Sequence, residues 1–576
     1  MHPRVVIGLA LTILLMLPAN PCRAGKKKPT FEQLSHEVIE TLQSFYPVTA
    51  TQRGIHSYDH RLADYSSRSV KSMIRRLNDY RKRLDRIRRA DLEPTQQIDH
   101  RLIKSNVETA LQDLKQTAWH KKSPQLYVDE AINGVYSLMV SRHAPLSEKL
   151  YSILARMDDV PSLFSVARRN IKSAPRIWID LATESLESGM QFYREVASVL
   201  MNEFPERADE ILKTSTQARE AMNDFLVYLQ EAPVGSETGF AIGRKDYDAR
   251  LTQGYFLSYS SDSLLKIGEA LLEEACQYYE EYKGYVDAYH QNGQDSVFVP
   301  ASFSREDVLN YYDWEVNQIR LFLKVRDILS VPEDIAPLSV IETPAFLGSM
   351  IPGMAYQPVG PFDNDQYGYL YVRVIPDVLD RKQLEARYRY IHRRGFKSSV
   401  VCEAFPGHHL QMQIAARHES EVRKWQRNVM FIEGWALFCD EMMYRTGLYG
   451  EEDPAMWLAI LGEIRVRAAS IVADVRLHTG QFTYEECVEW MADVLEAATE
   501  AEKQQISKSL RTQTLIPTVP MSFLMGKREI ERLRAAAEAR DDIDFNEADF
   551  YDALLAEGSI PPALMWEILG LEPVEN

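Results

Sequence analysis

Apolar residues recur at three- and four-residue steps through the first 230 positions. Val70, Met73, Ile74, Leu77, Tyr80, Leu84 and Ile87 form one stripe, with Arg, Lys and Asp opposite, and Ile98, Leu102, Val107, Leu111 and Leu114 form the next. That period belongs to amphipathic helices packed by one face. Phe192 to Leu200, Ala218 to Leu229 and Ser263 to Tyr282 extend it. Between residues 295 and 376 the texture changes: Val297-Phe298-Val299, Ser339-Val340-Ile341 and the alternating run Tyr369 to Ile375 suit strands and predict a small sheet. The stretch Pro344 to Tyr367 is rich in proline, glycine and aromatics, as segments lining a cleft are. Helical patterning returns after Pro376, with no internal repeat. The expected fold is mainly α, a helical body around a cleft, with a small β-sheet before the helices that carry the chemistry. We divide the chain into an N-terminal helical region, residues 25–240, and a second region, 241–576, with its sheet at about 295–376 and its chemistry at 395–480.

Residues 1–24 read as a signal peptide. Arg4 precedes the apolar run Val5 to Leu17, and a short polar stretch ends at Cys22-Arg23-Ala24. The run is shorter than the roughly 20 residues a spanning helix needs, so no transmembrane segment is expected in the mature chain. Pro21 stands before Cys22 where lipidation needs a small residue, which argues against a lipid anchor. The expected location is exported, periplasmic or extracellular. The 576 residues are 45% hydrophobic and 26% charged, an ordinary globular composition. The net charge of −17 repels phosphate backbones, so nucleic acid is not expected as a partner. Cys276, Cys402, Cys439 and Cys487 are too few and too far apart for a disulfide framework, although one bridge is compatible with export.

The densest cluster of metal-ligating side chains is Cys402-Glu403-Ala404-Phe405-Pro406-Gly407-His408-His409-Leu410-Gln411. Zinc peptidases place two ligands on one helix, with a glutamate beside the first that reaches the metal-activated water. On a straight helix His409 returns to within roughly 20° of Cys402, whereas His408 falls about 120° away. Pro406 and Gly407 can rephase everything downstream, so His408 and His409 both remain candidates. Glu433 interrupts the apolar run Phe431 to Phe438, where a carboxylate is costly unless paired or metal-bound. We take it as a third ligand. Further on, Arg467, Ile471, Asp474 and His478 share a helix face. Asp474 is then expected to orient His478 towards an oxyanion or leaving amine, and Arg467 to bind a substrate carboxylate or steady an acid.

Together these segments resemble the bacterial family catalogued as domain of unknown function 885. Its hallmark is His-Glu-Ala-x-Pro-Gly-His-His-x-Gln, then Glu-Gly-Trp-Ala, then Arg and Asp followed by His. The resemblance spans nearly all of the mature chain and includes Gly54 to Asp59, Tyr247 to Tyr255, Ala355-Tyr356 and Pro520 to Lys527. Members look like helical zinc peptidases of the Glu-zincin type. The resemblance implies Glu403 as general base, His408 or His409 and Glu433 as zinc ligands, and His478 as a stabiliser of the tetrahedral intermediate, acting on a peptide or oligopeptide substrate. Tyr356, on the cleft loop, and Tyr369 and Tyr371, on a strand pairing with the substrate backbone, are the expected substrate-binding residues. The chain departs from the hallmark at Cys402, which replaces its first histidine, and at Phe523, where a tyrosine is frequent. Three readings follow: Cys402 is a zinc ligand; the site is disabled and the protein is a binding or scaffold module; or Cys402 is a nucleophile.

Overall fold

The structure is a computed structural model and describes residues 30–290, 305–344, 347, 354–372, 382, 395–450, 454–540 and 544–572. The signal segment, the Val297 to Val299 strand, residues 373–375 and positions 345–346 and 348–353 of the cleft loop lie outside these residues. The longer helices of the first half are α1 (Phe31–Phe45), α2 (Ser67–Leu84), α3 (Pro94–Leu111), α4 (Gln125–Val140), α5 (Leu146–Asn170), α6 (Arg176–Glu203) and α7 (Ala208–Glu231). There follow α8 (Arg244–Gly254), α9 (Ser261–His290) and α10 (Arg305–Arg326). After a small sheet come α11 (Gly395–Glu403), α12 (His408–Ala415), α13 (Val429–Arg445), α14 (Pro454–His478), α15 (Tyr484–Val494), α16 (Glu500–Gln513), α17 (Ser522–Glu538) and α18 (Glu547–Ala556).

Local chemistry starts these helices where the sequence places them. Thr30 and Gln33 form a reciprocal capping box on α1, as do Thr483 with Glu486 on α15 and Thr499 with Glu502 on α16. On α2 the stripe Val70, Met73, Leu77, Tyr80 and Leu84 is buried, as its spacing requires. One apolar cluster runs from Phe31 through the sheet to Leu571, and a second joins Trp178, α8 and α9 to α14 and α17. Both clusters therefore cross residue 240. No helix among the described residues is long and apolar enough to cross a membrane. The four cysteines 276, 402, 439 and 487 are free, so the bridge that export would permit does not form.

The sheet has three strands, β1 (Leu338–Glu342), β2 (Ala355–Gln357) and β3 (Gly368–Val372), in the order β1-β3-β2. β3 runs parallel to β1, with Val340 opposite Leu370, and antiparallel to β2, with Tyr356 opposite Leu370. This corrects the expectation that the Tyr369 strand pairs with a substrate: over residues 369–371 both of its edges are taken. The outer strand near the chemistry is β2, a three-residue strand within the stretch expected to be loop.

Candidate functional site

The first half of the central motif closes α11 and the second half opens α12. The helix does not run straight through, so the phase argument that favoured His409 loses its premise. Gly407 makes the junction: a Cβ there would stand 1.8 Å from the Cys402 carbonyl oxygen, and its N–H donates to Val401 O at 3.0 Å. The junction is pinned from α13, where Trp435 Nε1 donates to Pro406 O at 2.9 Å. α13 in turn lies hard against α17, because Gly434 and Gly526 meet at the crossing. A Cβ on Gly434 would lie 2.6 Å from Gly526 Cα. The glycine and tryptophan after Glu433 thus set the depth at which that carboxylate sits.

This arrangement gives His408, not His409, to Glu433. His408 Nε2 lies 3.7 Å from Glu433 Oε2, and its buried Nδ1 has no hydrogen-bond partner. His409 is fully buried and committed at both nitrogens, with Nε2 donating to Ala336 O and Nδ1 facing the Tyr356 hydroxyl, each at 3.1 Å. It holds β2 in place. From that strand the Tyr356 N–H donates to Glu403 Oε2 at 3.4 Å, which fixes Glu403 against the sheet.

Cys402, Glu403 and Glu433 line one cavity of about 330 Å³, together with Asp440, Glu463 and Arg467. Arg467 is the one cationic side chain among its lining residues; it donates to Glu463 Oε1 at 2.6 Å and lies 4.0 Å over the Phe523 ring. Burial, reinforced by the charge of Glu403, pushes Glu433 up to about 7, and burial with the charge of Glu463 pushes Asp440 up to about 8. Glu403 is raised by burial as well. The Cys402 thiol is pushed well above its ordinary value by burial and by the charges of Asp440, Glu403 and Glu433. These surroundings disfavour a free thiolate, which opposes the nucleophile reading. Burial, aided by Arg427, lowers His408 to about 4, so its imidazole is neutral at pH 7 and has a lone pair to offer.

Sulfur, imidazole nitrogen and carboxylate oxygen are all good zinc donors, and bonds of about 2.0–2.2 Å in a tetrahedron set two light-atom ligands a little over 3 Å apart. The His408–Glu433 pair is near that separation. The fit is looser at Cys402, since Cys402, His408 and Glu433 do not bring one donor atom each within 4.8 Å of one another. Among the described residues that condition is met by His56, Asp59 and His143.

The rest of the expected machinery lies elsewhere. Asp474 and His478 are fully buried and do not line this cavity. Asp474 accepts from the Tyr247 hydroxyl at 2.8 Å and from Thr518 N–H at 3.1 Å, while His478 Nε2 donates to Gln513 O at 3.0 Å. Asp474 stands 3.7 Å from that nitrogen and does not orient it. The shared face on α14 is real, but a rise of 1.5 Å per residue carries His478 about 16 Å along the helix from Arg467. Tyr369 lines a different cavity, and Tyr371 is buried beside it. Sequence reasoning passed over Asp440 and Glu463, although Asp440 follows Glu433 by seven residues and Glu463 precedes Arg467 by four, both same-face spacings.

Solved structures that share this fold include two bacterial proteins. A presumed lipoprotein of unknown function from Shewanella oneidensis superposes with a TM-score of 0.74 at 20% identity, covering 94% of this chain and 100% of that one. A presumed lipoprotein from Colwellia psychrerythraea gives 0.72 at 17% identity, covering 93% and 97%. No curated protein matches the sequence. The profile of the bacterial proteins of unknown function DUF885 matches residues 47–569, and the chain belongs to that family.

Proposed function

We propose that this protein is an exported, zinc-dependent hydrolase of peptide bonds, with Cys402, His408 and Glu433 as the ligand set and Glu403 as general base. The observation that carries the reading is the acid-rich cavity. Cys402, Glu403, Glu433 and Asp440 face one half-buried space whose lining holds a single cationic side chain, beside an imidazole with an unpartnered nitrogen. Such a concentration of buried acids is relieved by a bound cation. Zinc, when bound, supplies Lewis-acid polarisation of a water or a carbonyl. Glu403, held by the Tyr356 N–H and raised by burial, takes the proton of the attacking water and passes it to the leaving amine. Arg467, clamped between Glu463 and Phe523, steadies the negative wall. Export accords with the apolar run Val5 to Leu17 and with the presumed lipoproteins that share the fold.

A second reading has its own observation: the thiol at the first ligand position is held protonated by its neighbours, and the three donors are not drawn together. That reading makes the protein a disabled peptidase acting as a binding or scaffold module. Elemental mass spectrometry of the purified protein, alongside Cys402→Ala, separates the two. About one zinc per wild-type chain, lost in Cys402→Ala, with peptide hydrolysis abolished by Glu403→Gln, supports the hydrolase. An empty wild-type site, or hydrolysis unchanged in zinc-loaded Glu403→Gln, defeats it.

A further inference from the structure

Two guanidiniums near the candidate site have no anionic partner among the described residues. Arg427, in the turn before α13, borders two cavities, one of about 270 Å³ and one of about 320 Å³. Its one hydrogen-bonding contact among the described residues is from Nη2 to Met412 Sδ at 3.2 Å, a weak acceptor. Arg53 lies close enough to be repelled by it, and burial together with that repulsion brings Arg53 down to about 9, still cationic at neutral pH. The Arg53 guanidinium stacks 4.4 Å over Trp425, and its buried Nη1 has no partner. A third arginine, Arg142, lines the smaller cavity and stacks on Tyr367 and Tyr369 at 5.2 and 5.0 Å.

The acids in the wall of the smaller cavity are already engaged. Asp363 receives His56 Nε2 at 2.8 Å and the Gly360 N–H at 3.2 Å, and Asp365 receives the Tyr367 N–H at 3.0 Å. Neither of these carboxylates forms an ion pair with Arg427 among the described residues. A guanidinium taken out of water without an anion is costly, and a carboxylate held by its planar fork is the natural complement.

Position narrows the choice of anion. Gln357 lines this cavity and directly follows Tyr356, whose N–H reaches Glu403. One residue of strand spans about 3.3 Å, so the basic pocket lies one or two residue lengths from Glu403 along the outer strand β2. We propose that Arg427, with Arg53 and Arg142 beside it, binds the terminal carboxylate of an oligopeptide whose scissile bond lies one or two residues upstream. This rests on the peptidase reading and names the end of the substrate it acts on.

The test uses N-acetyl-Ala-Phe and its C-terminal amide, titrated calorimetrically into the full-length zinc-treated Glu403→Gln protein. The acid is expected to bind about tenfold more tightly than the amide. That preference disappears in Arg427→Met and is partly kept in Arg427→Lys. Equal affinity for the two probes, binding of neither, or a preference that survives Arg427→Met overturns the proposal. Thermal unfolding supplies a second readout. Arg427→Met removes an uncompensated charge, so its midpoint should equal or exceed that of the parent, whereas a marked fall shows a structural guanidinium and overturns the assignment. Binding is measured without turnover, so a carboxylate preference in Glu403→Gln, beside zinc-treated wild type that hydrolyses neither probe, keeps the anion site and rejects the peptidase.

Discussion

The depth of Glu433 depends on how closely α13 and α17 approach, and Gly434→Ala tests that dependence. The added Cβ would lie 2.5 Å from the Gly526 carbonyl carbon, 2.6 Å from its Cα and 2.8 Å from Lys527 N, all backbone atoms that cannot swing aside. To reach an ordinary contact at 3.4 Å the crossing must open by about 0.9 Å. In an unhindered helix, Gly to Ala gains about 1 kcal/mol. Against that stands an overpacking cost of about 1–3 kcal/mol, because the same crossing carries the Lys527–Glu441 ion pair at 2.7 Å and the Trp435 bond to Pro406. The expected net effect is a loss of up to about 2 kcal/mol and weaker zinc retention, since Glu433 moves with α13. Gly284 is the control. It sits exposed in α9 with nothing within 4 Å of its added Cβ, so Gly284→Ala should show the propensity gain alone. Calorimetric unfolding and zinc content of both variants decide the matter. If Gly434→Ala is as stable as Gly284→Ala and holds the same zinc, the crossing does not position the site.

Three further outcomes are expected. Glu130 accepts the Ala63 N–H at 2.7 Å and is pushed by burial from 4.5 up to about 7. Its folded pKa lies above the unfolded one, so its contribution to stability is full below about pH 4.5 and is lost as pH rises through 7. Glu130→Gln keeps the acceptor without the charge and should be more stable at pH 8, by about 3 kcal/mol at most, and little changed at pH 4; an equal difference at both pH values in denaturant titrations refutes this. Trp435→Phe strips the buried Pro406 carbonyl of its donor and should cost about 1–3 kcal/mol, with a lower thermal midpoint and less zinc per chain; an unaltered midpoint counts against the pinning of the α11–α12 junction. Cys402→His removes the thiol that burial and the charges of Asp440, Glu403 and Glu433 keep protonated and should make zinc harder to strip with a chelator at neutral pH. Weaker retention than wild type would mean position 402 does not face the metal.

The helical body was legible because its stripes are long: five buried positions of α2 fall at the spacing read from the sequence. β1 and β3 were legible through alternation, but β2 was not, since three residues in a proline- and glycine-rich stretch carry no period and take their form from pairing with β3. Cys402, Glu403 and Glu433 stood out for a physical reason, being ligand-type or acidic residues where apolar ones were expected, and all three reach one cavity. The choice between His408 and His409 was hidden, because it depends on a helix break and on which ring finds Tyr356 and Ala336. His478 misled for a related reason: periodicity reports the face of a helix and not the distance along it. Arg53 and Arg427 had no sequence signal at all, being 374 positions apart and of a residue type usually found on solvated faces. Their meaning depends on what is missing around them. The chain as a whole carries a net charge of −17, so an arginine pair left without a carboxylate is not explained by a shortage of acids. The acids have been gathered instead in the cavity of Cys402 and Glu433, with His408 and Tyr356 between the two poles. Under the proposed hydrolase reading, this separation of charge would orient a zwitterionic peptide with its carboxylate towards Arg427 and away from Asp440, before any side chain of the substrate is read.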